Sequence, residues 1–160
     1  AAFESHLSYS EIEELVVNEP PSTYLIDTSH ESFYNPPSMK VAFDNYFEMH
    51  FSSTLNYEAE YYRCAYDSLV ESFRKTIVDF EDLRKKAFNT IHLIGGGSQS
   101  KLLCQLTANA TGKRIIAGPV EGAAIGNLLT QAIAINYIET PETGREMIRN
   151  SFKTATYLPE

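Results

Sequence analysis

The segment TIHLIGGGSQSKLLCQLTANATGKRIIAGP, residues 90–119, constrains the fold more than any other part of the chain. A short strand-like run ends in three glycines, and a helical pattern follows at once. Gly112 is well placed to end that helix, and KRIIAGP then predicts a second short strand. Further helical patterns cover residues 121–135 and 140–152. The order strand, helix, strand, helix predicts an α/β fold with two parallel strands and a right-handed crossover.

The residues before this segment predict helices. A short helix is expected over residues 8–18 with Ser10 as its N-cap, and another after Ser38, whereas TYLID, residues 23–27, is strand-like. The longest helical pattern runs from about Tyr57 to Phe88. Its large apolar residues are spaced three and four apart and predict one buried face: Tyr62, Tyr66, Leu69, Phe73, Ile77 and Phe80. A chain of 160 residues is long enough for one domain, so we expect residues 1–160 to form a single helix-rich domain.

Composition and charge exclude several kinds of partner. The net charge of -8 argues against nucleic acid and against anionic membrane surfaces. No apolar run approaches the ~20 residues of a membrane span, and residues 1–10 lack the features of a signal peptide.

Cys64 and Cys104 both lie in helical patterns, which predicts two reduced core thiols in a cytoplasmic protein. The four histidines have no metal-ligand spacing, so no metal site is assigned to His6, His30, His50 and His92.

Gly95, Gly96 and Gly97 allow two interpretations. In the first, the turn requires residues without side chains for its own packing. In the second, a ligand lies against the backbone amides at the start of the next helix. A Walker A loop is absent. The dinucleotide pattern G-x-G-x-x-G would need glycine at position 100, which is Ser100, and an acid at the end of the second strand, whereas Glu121 comes later.

Longer motifs connect the chain with a known family. Residues 91–134 contain GGGSQ, LLCQLTANATG and AGPVEGAAIGN, and upstream lie SYSEI, LIDTSHESFYNPPSM and RCAYDSLVESFRKTI. Together these closely resemble the C-terminal domain of the FGGY carbohydrate kinases, and the resemblance covers nearly the whole chain. It is most specific over residues 90–131, because GPVE-x-x-AIGN is much rarer than a glycine triplet.

The resemblance implies part of an actin-like (ribonuclease H-like) ATPase domain, with short parallel strands flanked by helices. It also implies transfer of phosphate from ATP, with Mg²⁺ bound through the nucleotide, to a ketose sugar. Gly96 would make the main ATP contact, Gly95 and Gly97 would shape the turn, and Gln99 and Ser100, in the first turn of the helix, would reach the adenosine. Family members often have Asn at the position of Ser100.

Other parts expected of such a kinase have no counterpart here. Family kinases are longer, and their N-terminal domain carries the first phosphate loop, most of the sugar site and the catalytic aspartate. No catalytic residue is therefore assigned, since the aspartates of this chain lack the family motif: Asp27, Asp44, Asp67, Asp79 and Asp82. We expect this chain to need the N-terminal domain as its partner and to be inactive alone. An exposed sheet edge would favour self-association.

Three alternatives remain open at this stage. The substrate of the enzyme could be the one of a different FGGY kinase, such as L-fuculose, xylulose or glycerol. The domain could be a non-catalytic nucleotide sensor or interaction module, or an acidic helical scaffold without a ligand. Helix packing accounts for Gly122 and Gly126. The helix dipole accounts for Glu121, and a role near a metal or nucleotide is the alternative for this residue.

Overall fold

Two units with separate hydrophobic cores make up the chain in a computed structural model that describes residues 7–160. The first unit ends at Arg84 and the second begins at Lys85. Residues 1–6 lie outside the described residues. They include His6 and the first part of the segment considered for a signal peptide. That residues 1–160 act as one domain stays a prediction. Among the described residues, no helix is long and apolar enough to cross a membrane.

The first unit contains helices α1 (Tyr9–Asn18), α2 (Met39–Phe51) and α3 (Glu58–Arg84), with a 3₁₀ turn at Glu31–Phe33. Ser38 caps α2 as predicted. The predicted cap Ser10 of α1 is wrong: Ser8 holds that position and forms a reciprocal capping box with Glu11.

The strand predicted over TYLID is also wrong, because side chains satisfy its backbone. The amide of Ile26 donates to Ser68 Oγ at 3.0 Å, and the amide of Asp27 donates to the Tyr46 hydroxyl at 3.1 Å. These amides therefore need no partner strand. The segment crosses the unit as irregular chain.

The buried face of α3 differs from the predicted one. Its buried residues are Ala59, Tyr61, Cys64, Ser68 and Val70. Of the residues expected inside, Leu69 is 38% and Phe80 54% exposed, and the others are half-buried. Three of the large core side chains, Phe43, Tyr46 and Phe47, come instead from α2, and α3 adds Tyr61 and the small Cys64 to the same core.

A polar network joins α2 to α3. Lys40 Nζ donates to Asp44 Oδ2 at 2.7 Å and to the Tyr61 hydroxyl at 3.3 Å. The Tyr61 hydroxyl in turn makes a short hydrogen bond to Asp44 Oδ1. Burial raises the pKa of the Asp44 carboxyl, but the hydrogen bonds from Lys40 and Tyr61 outweigh it, so the pKa lies below its ordinary value.

The second unit is built on a three-stranded sheet. Its strands β1 (Thr90–Leu93), β2 (Arg114–Ala117) and β3 (Ala155–Tyr157) lie in the order β1-β2-β3. β1 and β2 are parallel, with Leu93 opposite Ala117, which confirms the predicted pairing. β3 was not predicted and pairs antiparallel with β2, so β1 forms one edge of the sheet within the described residues.

Three helices complete this unit: α4 (Lys101–Thr111), α5 (Gly122–Ala134) and α6 (Pro141–Ser151). Cys104 and Ala108 of α4 pack on Ile115 and Ala117 of β2 to form the core. Gly112 ends α4 with φ +66°, which confirms the predicted helix end. The sheet and α4 thereby hold the ends of β1 and β2 side by side.

Candidate functional site

The glycine turn directly follows β1. Gly95 has φ +80° and ψ −166°, a combination that residues with a side chain rarely adopt. A 3₁₀ turn, Gly96–Gln99, follows. The carbonyl of Gly95 accepts hydrogen bonds from the Ser98 amide at 3.1 Å and from the Ser98 hydroxyl at 2.7 Å. The turn is therefore a defined structure in which Gly95 sets the direction of the chain.

The three glycines differ in their surroundings. Gly97 is exposed, and a Cβ there would make ordinary van der Waals contacts with Leu103 at 3.5 Å and Leu93 at 3.9 Å. A Cβ at Gly96 would meet nothing within 4 Å, and the φ of Gly96 lies outside the positive range. Neither packing nor backbone geometry explains a glycine at this position. Gly96 leaves open backbone facing outward, as contact with a ligand would require.

A cleft of about 420 Å³ lies beside this open backbone. Its lining comes from two segments, the one after β1 and the one after β2. Because carboxyl ends of parallel strands meet at one edge of a sheet, the two segments lie side by side. The lining residues are Ile94, Gly95, Gly96, Gln99, Val120, Glu121, Ala123 and Ala124.

The lining is mostly apolar, with two polar side chains. Ile94 is 50% and Val120 37% exposed, so both offer apolar surface. Glu121 makes no capping hydrogen bond to α5. Within residues 7–160, neither Glu121 nor Gln99 uses its side chain in a hydrogen bond or ion pair. In the first turn of α5, the Gly122 amide donates to the Pro119 carbonyl at 3.2 Å, whereas the amides of Ala123 and Ala124 have no intrahelical acceptor. The cleft thus combines apolar surface, free polar groups and one negative charge, as small-molecule sites do.

Gln99 and Ser100 were both expected in the first turn of the following helix. That placement is wrong, because the 3₁₀ turn ends at Gln99 and α4 begins at Lys101. Gln99 lines the cleft, whereas Ser100 is not among its lining residues. The Ser100 hydroxyl accepts the amide of Leu103 at 3.1 Å and caps α4. Asn is as good an N-cap as Ser, so the family's Asn would also suit this position.

The predictions for three residues in and directly before α5 have different outcomes. A Cβ at Gly122 would approach Ile94 Cβ to 3.1 Å, so Gly122 does allow close packing. A Cβ at Gly126 would meet nothing within 4 Å, so the packing expected there is not observed. Glu121, which was attributed to the helix dipole, also lines the cleft. Its position directly after the second strand was the signal that could have identified it.

Three of the aspartates have structural roles. Asp27 accepts hydrogen bonds from the Ser29 amide and hydroxyl, and Asp44 belongs to the network described above. Asp67 forms an ion pair with Arg63 Nε at 2.8 Å.

Cys64 and Cys104 are free and buried, as predicted, and burial raises the pKa of the Cys64 thiol. Within residues 7–160, no group of three histidine, cysteine or acidic residues is arranged to hold a metal ion.

Comparison with known proteins places these residues in context. Residues 4–135 match the model of the FGGY family of carbohydrate kinases, C-terminal domain. A rhamnulokinase of Halalkalibacterium halodurans is 34% identical over 83% of this chain and 28% of the relative. Rhamnulokinases of Bacteroides thetaiotaomicron and Bacillus subtilis are 33% and 30% identical, over 88% and 96% of this chain and 29% and 32% of their own lengths. The chain therefore spans about a third or less of the relatives it matches.

Proposed function

Because the chain belongs to the FGGY family of carbohydrate kinases, we propose that it supplies the adenosine-binding part of an ATP-dependent sugar kinase. The proposed sugar is L-rhamnulose, phosphorylated at its 1-hydroxyl in rhamnose catabolism, since the similar relatives are rhamnulokinases. The family match runs from residue 4 to residue 135 and so includes residues of both units. This supports the proposal that the two units belong to one C-terminal domain with an actin-like fold.

The observation that carries this proposal is the open backbone at Gly96. A ligand can lie directly against the chain there, and the glycine has no other structural reason. Ile94 and Val120 offer apolar surface to a flat base, while Gln99 offers both a donor and an acceptor for its edge. The proposed nucleotide-binding residues are therefore Gly95, Gly96 and Gln99. Gly97 shapes the turn, and Ser100 acts through the start of α4.

The cleft suits the nucleoside better than the phosphates. Among the described residues that line it, Glu121 is the only charged one, and its carboxylate repels phosphate oxygens. Mg²⁺ is proposed to be bound through the nucleotide phosphates, where it offsets their charge. Phosphoryl transfer depends on positioning and charge neutralisation around the γ-phosphate. We propose that an N-terminal domain supplies those groups and the catalytic aspartate.

The test is an ADP-release assay on the intact gene product with Mg-ATP. L-rhamnulose, L-fuculose, D-xylulose and glycerol are offered in parallel. We expect a strong preference for L-rhamnulose. Preference for another sugar would retain the kinase and overturn the substrate. If none of the four compounds supports ADP release, a non-catalytic nucleotide-binding module would be the better account.

A pair of glycine variants tests the site in the same assay. Gly96→Val projects a side chain into the cleft, and we expect a large rise in KM for ATP. Gly126→Val is the matched control, because a Cβ there also enters open space but lies outside the cleft lining. Equal KM values for ATP in the two variants would contradict the proposed site.

A further inference from the structure

Glu121 is placed in the cleft without a structural role of its own. It directly precedes α5, and its side chain makes no capping hydrogen bond there. It is the one charged residue among the eight that line the cleft, and no ion pair within residues 7–160 involves it. A favourable interaction with the helix dipole would be satisfied by an acid anywhere in the first turn. The dipole therefore does not explain why the acid faces the cleft.

The chemistry of a carboxylate restricts what it can contact. An ionised carboxylate only accepts hydrogen bonds, and it repels phosphate. Within a nucleotide, the groups that can donate to it are the ribose hydroxyls and amino groups on the base. The edge of a base mixes donors and acceptors, which matches the amide of Gln99 in the other segment. Two adjacent ribose hydroxyls, both donors, match the carboxylate.

We propose that Glu121 accepts a hydrogen bond from a ribose hydroxyl of the bound nucleotide and makes the site discriminate against nucleotides that lack this hydroxyl. This inference rests on the proposed nucleotide-binding function. Gly96 lets the nucleoside lie against the segment after β1, and Glu121 holds its sugar from the segment after β2. The phosphates leave the cleft on the side away from the carboxylate.

The test is a binding cycle that compares ligands and variants together. Calorimetry on the intact gene product measures Kd for ADP, 2′-deoxyADP and 3′-deoxyADP, with wild type, Glu121→Ala and Glu139→Ala. Glu139 is the matched control, because it is an exposed acid outside the cleft lining. Removing Glu121 also removes repulsion from the phosphates, but all three ligands carry the same phosphates, so this effect cancels in the ratios.

We expect wild type and Glu139→Ala to bind ADP roughly tenfold or more tightly than at least one deoxy analogue, as for a hydrogen bond to a charged group. In Glu121→Ala this ratio should fall close to one. An unchanged ratio in Glu121→Ala would overturn the inference. Inosine diphosphate, which lacks the 6-amino group, is measured in parallel, and loss of discrimination against this ligand alone in Glu121→Ala would also overturn the inference. Absence of binding by all nucleotides would instead overturn the proposed function.

Discussion

Replacing Gly95 by alanine should strain the glycine turn without disturbing its packing. A Cβ at Gly95 would meet nothing within 4 Å, so no steric contact contributes to the effect. What remains is the backbone: φ +80° with ψ −166° costs a residue with a side chain about 1–3 kcal/mol. Alanine also lowers the entropy of the unfolded chain, which is worth about 0.4–1 kcal/mol in the opposite direction. The net loss of stability in the second unit should be about 1–2 kcal/mol.

The neighbouring glycine provides the matched control. Gly96→Ala has the same effect on the unfolded chain, its Cβ also enters open space, and its φ is not positive. The difference between the two variants therefore equals the backbone strain, about 1–3 kcal/mol.

Amide hydrogen exchange in β1 and β2 measures this difference. We expect protection in Gly95→Ala to be roughly 5- to 150-fold lower than in Gly96→Ala. Amides of α2, in the first unit, provide an internal reference. Equal protection of β1 and β2 in the two variants would refute the argument that the turn requires glycine at position 95.

Substitutions at three further positions test other parts of the chain. Gly122→Ala should destabilise the second unit by about 1–3 kcal/mol, because its Cβ would approach the branched Cβ of Ile94 to 3.1 Å; unchanged exchange of β1 amides would contradict this. Ser100→Ala should cost about 1 kcal/mol through loss of the α4 cap, whereas Ser100→Asn should retain stability, as urea unfolding can measure. Tyr61→Phe should cost about 1–3 kcal/mol because the buried hydroxyl donates to Asp44, and a variant as stable as wild type would exclude that role. The pKa of Asp44 is lowered in the folded state, so this residue contributes its stabilisation above its unfolded pKa, near 3.8. The stabilisation is lost as the pH falls through the lower folded pKa. Measuring the free energy of unfolding against pH, for wild type and Tyr61→Phe, checks this direction.

Sequence patterns predicted the second unit better than the first. Parallel pairing of β1 and β2 followed from the order of strands and helices, and Gly112 marked the end of α4 because only a residue tolerant of positive φ suits that position. β3 escaped prediction since it has only three residues, two of them exposed, and thus no apolar alternation. Its pairing with β2 is a tertiary effect.

The buried face of α3 shows why spacing alone was insufficient. The large residues of that helix keep a regular spacing, yet its buried positions include Ala59, Cys64 and Ser68. Aromatic side chains of α2, among them Phe43 and Phe47, fill much of the core, and α3 adds to that cluster Tyr61 and the small Cys64. Volume is shared between facing helices, and a single helix pattern does not contain that information.

The candidate site was predictable where it depends on one segment and not where it depends on two. GGGSQ identified the turn, but the sequence did not reveal that Gly95 has the positive φ while Gly96 lies open beside the cleft, or that Glu121 lies in the same cleft. Those facts require the parallel register of β1 and β2, which brings two segments about 25 residues apart to the same sheet edge. A carboxylate beside a bound nucleotide repels the phosphates, and this repulsion favours the orientation in which the phosphates lie farthest from the acid. Under the proposed function, repulsion by Glu121 directs the phosphates out of the cleft, so cationic groups for transfer are needed outside the cleft lining rather than beside Gly96.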